Sequence, residues 1–225
     1  MKIASLKPTQ WFPGQNVSVK PHLRGWIHLV AAPLSLAASI VLTCLAPTGA
    51  TKGGSAIYLA ASLILFGISA LYHRFYWSPR WEIVWNRLDH SNIFLLIAGT
   101  YTPLSIAILP RDQAVTILSI VWGGALLGIL LNLFWPTAPR WLATLIYVAL
   151  GWVALWYLPQ FWSLGGAVIV WLLLAGGILY TIGAVVYATK KPDLSPRWFG
   201  FHEIFHLCTV LAWACHCVAV YLAVL

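Results

Sequence analysis

Charge is what this chain has least of. Only 8% of its 225 residues are charged, and only five are acidic. A water-soluble domain carries about 25% charged residues. A surface so poor in charge is not built for water, which excludes an ordinary soluble enzyme or adaptor domain. Cysteine is scarce as well: Cys44, Cys208, Cys215 and Cys217, with no C-x-x-C pair. That excludes a disulfide scaffold. The C-H-C of residues 215–217 makes a poor metal site, because helical neighbours i and i+2 point about 200° apart. No linker, low-complexity tract or convincing internal repeat divides the chain. The first 25 residues hold polar groups and prolines rather than a short apolar core, so no cleavable signal peptide is expected there.

What fills the sequence is apolar: 61% of residues, with fourteen tryptophans. A membrane-spanning helix needs about 20 mostly apolar residues, and helices satisfy their own backbone hydrogen bonds where lipid cannot. Seven runs qualify, at about 26–46, 55–76, 90–109, 113–134, 141–159, 163–188 and 199–223. Breakers such as "APTGATKGG", "WSPRWE" and "KKPDLSPR" separate them. The fifth run is the least clean, and "LPQFW" predicts a short, tight connection into the sixth. Trp26, Trp77, Trp135, Trp141 and Trp198 lie at run ends, as in the aromatic belts of membrane interfaces. The expected fold is an all-α integral membrane protein, a seven-transmembrane helix bundle over 26–225 after a short N-terminal segment, 1–25.

The net charge of +8 does not indicate nucleic acid, because of where it lies. Lys2, Lys7, Lys20 and Arg24 precede the first run. Arg74, Arg80 and Arg87 flank the second gap, Arg140 the fourth, and Lys190, Lys191 and Arg197 the sixth. Only Lys52 and Arg111 fall on the other side. The positive-inside rule then predicts a cytoplasmic N-terminus and an extracytoplasmic C-terminus, with the basic side against an anionic leaflet.

Ionisable groups inside spans are costly, so each is a candidate for function. Ser69 and His73 end the second run. Asp89 and His90 begin the third. His202, Glu203 and His206 begin the seventh. With alternating orientation, all reach a similar depth near the cytoplasmic face. His202 and His206, at i and i+4, share a helix face and are able to bind one ion. His73 would complete three nitrogen ligands, the open-sited arrangement of catalytic zinc, which acidifies a water in its fourth position. Asp89 would hold or deprotonate that water. Each residue also has a plainer reading. His73 is a polar group at a helix end. Asp89 caps the third helix, with Arg87 as a solvated partner. Ser69 bonds back to the Leu65 carbonyl. Glu203 sits in a first turn, or makes H-E-x-x-H a protease signature. His28 is close enough to reach the cluster. His22 is expected to be solvent-exposed, His90 to point about 100° away from Asp89, and His216 to lie at the far side of the bilayer, outside the cluster.

The segments "SALYH", "NRLDHSNIFLLIAGTYTP" and "HEIFHLCTVLAWACH" resemble the haemolysin III branch of the progestin and adipoQ receptor family, which shares a superfamily with alkaline ceramidases. The likeness runs from the first span to the seventh and looks like the bacterial branch. It implies zinc held by His73, His202 and His206, Asp89 contacting the metal's water, Ser69 nearby and Glu203 incidental. It further implies an inner-membrane protein whose partners are membrane lipids, with a lipid substrate inside the bundle. Three functions stay open: a zinc-dependent hydrolase of lipid amides or esters, a non-enzymatic sensor, receptor or haemolytic protein with structural zinc, and a site-2-type protease. A protease of that type needs a later carboxylate ligand, and none follows Glu203.

Overall fold

The structure, a computed structural model, describes residues 20–135, 139–195 and 197–225. Lys2 and Lys7, and most of the expected N-terminal segment, lie outside them. Among the described residues the chain is all helix, with one isolated bridge between Ser195 and Phe199. Seven helical segments among the described residues are long and apolar enough to cross a membrane, the fifth being Trp141–Gly165. We label the helices α1 (Trp26–Leu45), α2 (Gly49–Arg74), α3 (Pro79–Ile108), α4 (Arg111–Phe134), α5 (Arg140–Gly151), which forms only the beginning of the fifth segment, α6 (Ala167–Thr189) and α7 (Phe201–Val224).

α2 begins at Gly49, six residues before the run 55–76, and two further departures concern the third and fifth spans. The third helix begins at Pro79, eleven residues before the run 90–109. Pro is well placed in a first helical turn, where its missing N–H has no helical partner to lose. Asp89 therefore lies well inside α3 and caps nothing. The second difference concerns the fifth span. No loop forms at "LPQFW". The chain instead continues from α5 through a 3-10 stretch (Trp152–Tyr157), one turn at Leu158–Gln160 and a π-turn (Phe161–Gly165). The break falls at Gly166, whose φ of 90° favours a residue without a Cβ.

α2, α3 and α7 form the packed centre. Gly99 of α3 lets it press on α2, since a Cβ there would come within 2.5 Å of the Ala61 Cβ. Small residues at such crossings are how helices associate in lipid, where no hydrophobic force draws them together. The Trp213 indole N–H donates to the Ser62 hydroxyl at 2.9 Å, tying α7 to α2. Tyr221 donates to the Ala38 carbonyl, tying α7 to α1. Lipid-facing positions carry large apolar side chains such as Leu34, Leu127 and Trp171. The span-five irregularity is tethered by Tyr101, whose hydroxyl donates to the Gly151 carbonyl at 2.7 Å and accepts from the Ala154 N–H at 2.8 Å. Non-helical backbone at membrane depth needs such internal partners.

Candidate metal centre

α2 ends where α3 and α7 begin, so their polar residues meet at one end of the bundle. His73 and His206 are buried, and His202 is nearly so. Their ligand nitrogens all lie within 4.8 Å of one another. The Nε2 atoms of His73 and His202 are 3.2 Å apart. Metal–nitrogen bonds of about 2.0–2.1 Å in a tetrahedron place two nitrogens ~3.3 Å apart, so the His73–His202 pair is spaced as two ligands of one metal ion would be, with His206 within reach. The Asp89 carboxylate lies 3.4 Å from His73 Nε2, so its partner is His73 rather than Arg87. Ser69 is buried and faces the Asp89 carboxyl; it makes no hydrogen bond to the Leu65 carbonyl among the described residues.

Glu203 has a different task from the one its H-E-x-x-H setting advertises. Its side chain is 2% exposed. One carboxylate oxygen accepts from the Arg24 guanidinium, and the other from the Gly200 N–H at 2.8 Å. Both oxygens are engaged away from the three imidazoles, so it is not placed as a base. The pair clasps the N-terminal segment onto α7. The Arg74 guanidinium donates to the Arg24 carbonyl at 3.4 Å, and the His22 N–H to the Arg197 carbonyl at 3.0 Å. Lys20 donates to the carbonyls of Tyr72 and Phe75, at 3.1 and 2.7 Å, where a cation suits the end of α2. Gly25, at φ 79°, lies directly over His73, and a Cβ there would approach the His73 Cβ to 2.8 Å.

The other histidines split. His22 is exposed, as expected, and packs against Trp198 with the ring planes tilted by 35°. His28, a marginal candidate by sequence, is fully part of the site wall. It stacks on His206 with centroids 3.8 Å apart and planes 7° apart. Its position one turn into α1 was legible, but nothing in the sequence showed which face of α1 turns inward. His90, expected to point away, reaches Tyr187, with 2.8 Å between its Nε2 and the hydroxyl. It shares the cavity described next. His216 stands outside the metal cluster, in agreement with the sequence, yet lines that same cavity at its other end.

This cavity has a volume of about 110 Å³ and is partly open to the outside. It begins at His202, His206 and Asp89 and reaches His216. Fourteen residues of α7 separate its ends, ~21 Å at the helical rise. Ile93, Leu96, Val148, Ala184 and Phe205 give it apolar walls.

Fold and site together define an integral membrane protein with a buried three-histidine centre at the head of an apolar cavity. The chain belongs to the haemolysin III family: the family described as "Haemolysin-III related" matches residues 17–217. It is 35% identical over 188 residues to "Hemolysin-3" of Bacillus cereus, covering 80% of each chain. It is 37% identical over 147 residues to "Hemolysin-3 homolog" of Bacillus subtilis (strain 168), covering 64% of this chain and 68% of that one. No solved structure matches it significantly.

Proposed function

We propose that this protein is a zinc-dependent hydrolase of membrane lipid amides or esters, working at the cytoplasmic leaflet of a bacterial inner membrane. The observation that carries the reading is the convergence of His73, His202 and His206, with Asp89 beside them, where His202, His206 and Asp89 line one end of an apolar cavity. The basic face formed by Lys20, Arg24, Arg74 and Arg197 supports the orientation. Zinc, when held by the three imidazoles, would polarise the acyl carbonyl and lower the pKa of a water. The chain's own residues do the rest. The apolar walls hold the acyl chain and exclude bulk water. Asp89 accepts the proton of the attacking water and returns it to the leaving amine or alcohol. Ser69 fixes the orientation of that carboxylate. The test is lipid turnover by purified protein, with metal content measured alongside. D89A should keep zinc and lose hydrolysis; undiminished hydrolysis by D89A rejects the role assigned to Asp89.

A second reading has one observation in its favour. Asp89 comes within 3.4 Å of His73 Nε2, close enough to close the metal site as a fourth protein ligand. A closed four-ligand site is structural, and the protein would then be a sensor, receptor-like or haemolytic protein whose zinc clamps α2, α3 and α7. D89A would in that case lose zinc affinity together with thermal stability.

A further inference from the structure

Neither ring nitrogen of His28 has a hydrogen-bond partner among the described residues, although the side chain is 3% exposed. A neutral imidazole carries one N–H donor and one acceptor, and buried polar groups are nearly always satisfied, so an exception needs a cause. Packing does not supply a partner: Phe66 meets the ring edge-on at 5.2 Å and His206 covers one face. Nor is His28 a fourth metal ligand. An imidazole lone pair lies in the ring plane, so an ion bound by His206 lies in that ring's plane. The His28 ring is nearly parallel to it, at 3.8 Å between centroids, and the same ion falls out of its plane. His28 itself lines the cavity, in company with Ser69 and Asp89.

We propose that His28 is a substrate-recognition residue, whose imidazole N–H donates to the carbonyl oxygen of the lipid acyl group seated beside the three histidines. This rests on the hydrolase reading above. A carbonyl oxygen only accepts, so it complements a neutral imidazole, and α1 brings this donor without spending a metal ligand. As water adds to the carbonyl carbon, the oxygen gains negative charge. A donor already fixed in a water-poor site then stabilises the transition state more than the substrate. His28 forms no covalent bond and keeps its proton throughout.

The test uses full-length protein in nanodiscs, loaded with zinc, and palmitamide as the probe. H28F keeps a flat ring against His206 but offers no hydrogen bond, while H28Q restores a donor. Zinc affinity should stay within about twofold of wild type in both. Palmitamide should bind about tenfold more weakly to H28F, the size of one lost hydrogen bond, with partial recovery in H28Q. Turnover of a long-chain N-acyl lipid should fall roughly 10²–10³-fold in H28F, as for loss of one oxyanion donor. Unchanged palmitamide binding by H28F overturns the proposal. So does loss of zinc in parallel, which would make the ring a prop for His206. A wild-type protein that binds zinc but neither binds palmitamide nor cleaves the lipid removes the hydrolase reading, and this proposal falls with it.

Discussion

Two of the seven spans show how differently one chain uses its membrane helices. In α3, 67% of the apolar window is buried within the bundle; in the fifth span the figure is 17%. α3 runs unbroken for 30 residues and carries Asp89 at a fixed depth. The fifth span changes from α to 3-10 to π and offers the cavity one wall, through Thr144, Tyr147, Val148 and Trp152. Regularity is concentrated where groups from three helices must meet to within tenths of an ångström. Where the chain only has to face acyl chains, irregular turns are tolerated, provided that Tyr101 satisfies the freed backbone groups.

Substitutions at the two regions sharpen this contrast. The largest effect is expected at α7: H206A should lower zinc affinity by more than the ~10–100-fold that loss of an outer partner costs, as read by competition with a chromogenic chelator. D89N should follow, with turnover down about 10²–10⁴-fold, the usual worth of a general acid–base, and zinc retained. E203Q comes next, leaving Arg24 without its buried partner. A loss of about 3 kcal/mol is expected in unfolding experiments, with much of it regained in R24M/E203M. In the fifth span, P159A should shift stability by no more than about 0.5 kcal/mol; a loss as large as that of E203Q would erase the distinction drawn here. Amide exchange should likewise be faster in 152–165 than in 90–105.

A pH dependence is also expected. Burial, against the opposing pull of Glu82, lowers the Lys20 pKa to about 8. Its unfolded value is about 10.4. A lowered lysine opposes folding while it is charged, fully so below about pH 8, and the penalty fades as pH rises towards the unfolded value. Stability should therefore climb modestly between these limits, and K20M should flatten the climb.

Much of this was readable beforehand. Seven apolar runs and the i, i+4 spacing of His202 and His206 are local signals, and both survive in the structure. The convergence of His73 with them followed from alternating span direction, a rule of connectivity rather than of contact. The start of α3 was missed because Arg80, Glu82, Asn86, Arg87 and Asp89 interrupt the apolar residues of 79–89, and a hydropathy reading stops where the helix leaves the apolar zone. His28 and His90 were undervalued for another reason. A lipid-facing surface is as apolar as the interior, so no stripe distinguishes the two, and the inward face of α1 was invisible. The path between α5 and α6 was misjudged because "LPQFW" was read as a short connection, whereas Pro159 occupies the first turn of a new helical segment, where proline is accepted.

His73 and His202 touch across 129 positions of sequence. One stands on the second helix and the other on the last, so the imidazole trio does not exist until the final span has entered the bilayer and docked. An ion gripped there is therefore a late arrival in biogenesis: a C-terminally truncated or stalled chain has nothing to hold it with, and metal content reports on completed assembly.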